Sequence, residues 1–575
     1  MSTDAPSPND FKRGGILDLI ERAGNKLPEP AILFALLTIL VMILSQAAAM
    51  TGWEVQPKKL QVVTEVVVDP ATSQPVLDAE GEPTRREVKD ESGKVQTELV
   101  NADDPIKARG LLTSNGLYYA ISSLVDNFMK FPPLGVVLVG VLGIGVAERT
   151  GFIGAALKAF MLIVPKSMLT PAMVFLGIMS SIGTDAGYIV LPPIAAALYK
   201  SVGRSPLAGI AAVFAGVAAG FNANLLVTSL DPLLAGFTTT GAQAIDPNYV
   251  VDPTCNWLFM IASTFVITFA GWAASAFFVE KRLKTRPLDE GGPDPALAGK
   301  VVVDRMSRRE IWGLVAGVIT VLLGTGLFLS FALIKGAPFD DGLGKMAAVG
   351  GLAREADHFD RWVESIVPML FFLFLVPGIV YGVVVGNLRN SKDLARLMND
   401  TFAYMAPIIV LSFFAAQFIE YFKYSQLDKM LAYTGGELLA KSGLGASPLI
   451  LAFIGIVMLF NIMIASMSAK YAVFAPIFVP MLMFVGISPE LTQSAYRIGD
   501  SVTNVITPLN SYMVIILVVV QKHAPKAGMG TLISTMLPYT LVFAAVWSVM
   551  IIVWMQLGIP LSFGDAGPLT YPPAG

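Results

Sequence analysis

The sequence predicts an all-α polytopic membrane protein: nine transmembrane helices plus two re-entrant helical hairpins in an inverted repeat, with a small extracytoplasmic β-rich insert. Composition is the first observation behind this reading. Of 575 residues, 54% are hydrophobic and 14% charged, against roughly 25% charged in soluble domains. The second is a set of apolar runs long enough to cross a bilayer, where backbone amides must pair within the chain and long runs are therefore helical. The third is one order of elements that recurs in both halves.

Residues 1–29 carry Lys12, Arg13, Arg22 and Lys26 and precede the first apolar run, 30–50. That run is longer than the ~7 to 15 residues of a signal-peptide core, so Ala47-Ala48-Ala49 reads as the end of a retained span. Segment 51–110 is rich in charge and alternates in character, as in Gln61-Val62-Val63-Thr64-Glu65-Val66-Val67-Val68, with turn signals at Asp69-Pro70 and Gly81. It predicts an external β structure with a solvated surface. Further spans are predicted at 132–149, 207–240, 256–279, 311–334, 364–387, 403–422, 491–520 and 531–556.

Two runs differ from these. Residues 168–200 and 448–485 are apolar at both ends with small polar middles, Ser180-Ser181-Ile182-Gly183-Thr184-Asp185-Ala186-Gly187 and Ser466-Met467-Ser468-Ala469-Lys470. Halves of roughly 12 to 17 residues are short for a ~30 Å core, so both read as re-entrant hairpins. Lys200, Arg204, the cluster Lys281 to Arg309, and Arg389, Lys392 and Arg396 all fall on the side of the N-terminus. An excess of basic residues marks the cytoplasmic side. The N-terminus is therefore expected inside and the tail, 557–575, outside a bacterial inner membrane.

Residues 111–279 and 403–556 each read as span, short helix, hairpin and two further spans, in opposite directions. Residues 280–402 supply a cytoplasmic loop and scaffold spans. Inverted repeats with interrupted helices characterise secondary transporters, whose sites lie near the midplane where half-helices end.

The span after each hairpin is broken by a polar patch: Gly220-Phe221-Asn222-Ala223-Asn224 running to Ser229-Leu230-Asp231-Pro232, and Asp500-Ser501-Val502-Thr503-Asn504 running to Thr507-Pro508. Proline removes a helix donor, and the freed oxygens suit a hard cation. Ser181, Asp185, Asn222, Asn224, Ser466 and Asn504 are thus candidate ion ligands, with sodium placed at Asn224 and Asn504. Pro232, Pro489 and Pro508 are the candidate helix breaks. Arg497, Asp500 and Asn504, three and four apart, predict one helical face. Ionised groups within a span usually mark a site; Arg497 and Asp500 could also simply neutralise each other. Lys470 and two helix amino ends add positive potential and favour an anionic substrate. Asp185 could carry a proton, bind a cation, pair with Arg497 or Lys470, or cap the hairpin's second arm.

Other classes fare worse. A net charge of −3 lacks the basic surplus of a nucleic-acid site. Cys255 alone, with only His358 and His523, makes a thiol or imidazole metal site improbable. There is no Gly-x4-Gly-Lys-Ser/Thr loop for ATP, and no cofactor is expected beyond a coupling ion, sodium or proton. An intramembrane aspartyl hydrolase on Asp185 and Asp500, or a channel, are remote alternatives.

The stretches SSIGTDAGYIVLPP, AGVAAGFNANLLVTSLDPLLAG, SAKYAVFAPIFVP and ELTQSAYRIGDSVTNVITPL resemble the aminobenzoyl-glutamate transporter (AbgT) family over nearly all the membrane part. The resemblance implies a homodimer of nine spans and two hairpins that moves p-aminobenzoyl-glutamate, or exports sulfonamide antimetabolites. It puts functional positions at Asp185, Ser468, Tyr471, Pro489, Arg497, Asp500 and Pro508. In place of the family's tryptophan after the SAK tripeptide stands Tyr471, which keeps an aromatic face but adds a hydroxyl.

Overall fold

A computed structural model describes residues 28–62, 64–66, 85–87, 97–101, 104–182, 186–228, 230–297, 306–334, 337–339, 365–464, 466–507, 510 and 512–571. The readings placed on Lys12, Arg13, Arg22, Lys26, Asp69-Pro70, Gly81, Asp185, His358 and Pro508 lie outside these residues.

Helix α1, Pro30–Met50, begins with proline in its first turn, where the missing donor costs nothing. The chain then leaves as a two-stranded antiparallel ribbon in three rungs. β1 (Glu54–Val55) pairs with β6 (Ile106–Lys107), β2 (Lys58–Val62) with β5 (Thr97–Asn101), and β3 (Thr64–Val66) with β4 (Arg85–Glu87). The root of the ribbon is fastened at two points. Arg109 N–H donates to Ser425 O at 3.0 Å and Leu111 N–H to Ser45 Oγ at 3.1 Å.

The helices follow one another along the chain in this order. In the first half, α2 (Ser114–Ser122) and α3 (Leu124–Met129) lead to α4 (Pro132–Arg149) and, across a bend, α5 (Phe152–Ile163). The arms of the first hairpin are α6 (Leu169–Met179) and α7 (Ala186–Ser201). The broken span is α8 (Pro206–Phe214) with a π turn at Ala215–Ala219, then α9 (Leu230–Ala242), and α10 (Trp257–Leu283) closes the set. After α11 (Arg308–Leu333) and α12 (Ile366–Val385), the second half runs α13 (Ser391–Tyr424), α14 (Leu427–Lys441), the hairpin α15 (Ala446–Met463) and α16 (Met467–Phe484), the broken pair α17 (Pro489–Val502) and α18 (Tyr512–Gln521), and α19 (Met529–Gln556).

Among the described residues, eight helices are long and apolar enough to cross a bilayer, or nine if the bent pair Leu138–Arg149 and Phe152–Ile163 is one span. Three expectations need correction. The arms of the second hairpin are 18 residues each, not the shorter halves expected. Met467 to Lys470, read as the tip, is the first turn of α16, with Ser466 as its cap accepting from Ala469 N–H at 3.3 Å. Pro489 does not break a helix but starts one: it occupies the first turn of α17 behind the cap Ser488, whose Oγ accepts from Leu491 N–H at 3.0 Å. Pro232 likewise lies in the first turn of α9.

Two groups of helices emerge from the packing. α1, α4, α11, α12 and α13 pack on one another, and α11 is little buried along its span. The hairpins and broken helices form the other group, joined to the first through α4 on α9, α5 on α7 and α14 on α16. Backbones approach closely where hairpin meets broken helix. A Cβ on Gly177 of α6 would lie 2.5 Å from Val213 O, and one on Gly499 of α17 would lie 2.7 Å from Ile454 O of α15. Small residues permit such contacts in membrane helices.

Candidate functional site

Helix α17 is the anomaly from which the site is built. It carries Glu490, Thr492, Gln493, Ser494, Arg497, Asp500 and Ser501, yet every one of its residues is buried. A polar helix buried all round must find its partners within the protein. It does so on two sides.

Toward the first half, Arg497 Nη2 meets Asp231 Oδ1 at 2.5 Å, both side chains almost fully buried. Asp231 stands in the first turn of α9, and its Oδ2 accepts from Thr228 N–H at 2.5 Å and Thr228 Oγ–H at 2.9 Å. Toward its own hairpin, Asp500 Oδ1 lies 2.7 Å from Lys470 Nζ, with both side chains closed to solvent. Lys470 also donates to Asn461 Oδ1. A cation in the first turn of α16 opposes that helix's dipole, and Asp500 offsets it.

Arg497 and Asp500 therefore do not neutralise each other; each pairs with a different element. Nor does Asn504 share their helical face, because α17 ends at Val502 and Asn504 lies in the turn beyond.

The breaks are laced across the two halves. Asn222 Nδ2 donates to Ser501 Oγ at 2.7 Å and Arg497 O at 3.1 Å, while Asn504 Nδ2 reaches back to Ala218 O at 3.3 Å. Each break is also tied to its own hairpin. Asn224 Nδ2 donates to Ser181 Oγ at 2.8 Å. Asn461 Nδ2 contacts Asp500 O at 2.6 Å, Thr503 Oγ1 at 2.8 Å and Asn504 Oδ1 at 2.9 Å. Asn224 Oδ1 accepts from Leu226 N–H at 3.1 Å. Both candidate sodium amides thus already accept one bond through their oxygens, with one lone pair left on each. Ser468 approaches Ser466, Oγ to Oγ at 3.4 Å.

An aromatic wall adjoins the charges. Tyr471 and Tyr496 rings lie 4.1 Å apart between centroids, with Phe237 edge-on to Tyr471 at 6.3 Å. The Tyr471 hydroxyl pairs with Thr238 Oγ1 at 2.7 Å, and Thr238 donates to Gln493 Oε1 at 2.6 Å. Tyr496 OH donates to Met467 O at 2.7 Å. Gln493 Nε2, Ser494 Oγ, Arg497 Nε and Asp500 Oδ2 are buried with no hydrogen-bond partner among the described residues. Unmet donors and acceptors in one seam are what a polar ligand would satisfy.

Asp231, Asn461, Tyr496 and Gln493 were not among the residues singled out in the sequence. Asp231 was legible as a charge inside an apolar run, the signal that had identified Arg497 and Asp500; its neighbour Pro232 drew the reading toward a helix break instead.

Residues 15–571 match the profile described as the "AbgT putative transporter family". The p-aminobenzoyl-glutamate transport protein of Escherichia coli (strain K12) is 31% identical over 571 residues, which cover 98% of this chain and 98% of that one. The crystal structure of the Alcanivorax borkumensis YdaH transporter superposes with a TM-score of 0.77 at 34% identity, covering 93% of this chain and all of that one. The structure of Neisseria gonorrhoeae MtrF, described as illuminating a class of antimetabolite efflux pumps, superposes at 0.78 with 36% identity over 96% of this chain and 100% of its own.

Proposed function

The chain belongs to the AbgT family of membrane transporters, and from that premise we propose that it moves p-aminobenzoyl-glutamate or a similar aromatic-acyl amino acid. It does so as an ion-coupled secondary transporter. The observation that carries this is that the buried polar helix α17 bears both Arg497 and Tyr496, whose ring lies 4.1 Å from that of Tyr471 on α16. A guanidinium suits a carboxylate in fork geometry, and a tyrosine face suits a benzoyl ring. The broken helices and hairpins, antiparallel in the two halves, slide against the outer group as a dimer scaffold. From the sequence alone Asp185 is proposed as proton carrier or cation ligand, and Ser181, Asn222, Asn224, Ser466 and Asn504 as oxygen donors to sodium.

Labelled p-aminobenzoyl-glutamate in proteoliposomes, with sodium and proton gradients imposed separately, tests the reading. Accumulation driven by one gradient is the expected result; flux indifferent to both rejects it. Likeness to MtrF favours a second reading, proton-driven export of sulfonamide antimetabolites, for which expression in a sensitive host should raise sulfonamide tolerance.

A further inference from the structure

The pair formed by Arg497 and Asp231 has an asymmetry that the transport reading does not use. Asp231 is held twice over without the arginine, by the N–H and the hydroxyl of Thr228, at the amino end of α9. Its charge is satisfied whether or not Arg497 stays, because hydrogen bonds and a helix amino end both favour a carboxylate. Arg497 is in the opposite position. Its ion pair is with Asp231, its Nε is buried with no partner among the described residues, and its side chain is 5% exposed. Without a carboxylate it would be an uncompensated cation in a buried seam, which is costly.

We propose that Asp231 is a built-in stand-in for the substrate's carboxylate. It neutralises Arg497 when the site is empty and yields it when a substrate carboxylate arrives. The exchange is nearly balanced, since one carboxylate replaces another on the guanidinium and the displaced one keeps its two bonds from Thr228. Arg497 then has a carboxylate partner when the empty carrier changes sides, as it does when the loaded one does. This rests on the reading that Arg497 binds the substrate's carboxylate, and it adds a residue that governs the return of the empty carrier.

The test separates net uptake from exchange of labelled external against unlabelled internal p-aminobenzoyl-glutamate, in proteoliposomes containing wild-type, Asp231→Asn or Asp231→Glu protein. With Asp231→Asn, Arg497 is unneutralised only when the site is empty. Net uptake should fall at least tenfold while exchange stays within about threefold of wild type, and apparent affinity for the substrate should rise. Asp231→Glu, which keeps the charge, should recover net uptake. A parallel fall of both fluxes, or no change in either, overturns the inference.

Thr228→Val gives a second measurement that leaves the ion pair in place. It removes one bond from the displaced carboxylate, so the substrate KM should rise several-fold with little change in maximal exchange; an unchanged KM counts against the proposal. Absence of both net uptake and exchange in wild-type protein would defeat the transport reading itself, and the inference with it.

Discussion

At Asp428 a single carboxyl sets a pH dependence. It opens α14, is buried, and its Oδ1 has no hydrogen-bond partner among the described residues. Burial lifts its pKa from 3.8 to about 7. Between those values the folded state holds a proton that the unfolded chain has released, so stability falls as pH rises through that window. The shift corresponds to a few kcal/mol, on the order of 1.4 per unit. Asp428→Asn should therefore raise the melting temperature in detergent at pH 8 and change it little at pH 4. Lys470 shows the opposite design, a charge closed to solvent but matched. Replacing its partner, Asp500→Ala, strands a buried cation and should cost roughly 3 to 5 kcal/mol, visible as a large drop in melting temperature, which Lys470→Met in the same chain should partly restore.

At the scale of elements, what was readable followed from contrast with lipid. Arg497 and Asp500 stood out because a charge in an apolar run is expensive, and the two breaks because asparagine and proline interrupt apolar patterns. The 18-residue arms of the second hairpin were not readable. Asn461 sits in a run that otherwise looks apolar, and Ser466 to Lys470 looks the same whether it forms a tip or a capped first turn. Only the fold shows Asn461 bridging Asp500, Thr503 and Asn504. Which charge pairs with which was also hidden, since Asp231 and Arg497 are far apart along the chain and meet only when both breaks are packed. The contact between α6 and α8 gives an element-scale prediction. Gly177→Val forces a side chain against Val213 O and should destabilise by about 1 to 3 kcal/mol. Gly154→Val on α5, where a Cβ has nothing within 4 Å, should be near neutral in the same thermal assay.

For the molecule as a whole, the distribution of basic residues leads us to propose a cytoplasmic N-terminus, and the sequence supplies a clean way to check it. Cys255 is the only cysteine and is fully buried, so a membrane-impermeant thiol reagent should leave native protein unlabelled. Arg396→Cys, exposed near the start of the long helix α13, should react only from the cytoplasmic side. Ser442→Cys, exposed after α14, should react in intact cells; the reverse pattern would invert the assigned topology.

The ribbon that leaves α1 bears on how motion in this protein can be seen. Its base is bonded to Ser45 of α1 and Ser425 at the end of α13, both in the outer group of helices. If the hairpin group travels, the ribbon should stay at rest. A fluorophore or antibody fragment mounted there would act as a fixed landmark, against which the excursion of a second probe on either hairpin could be read as distance.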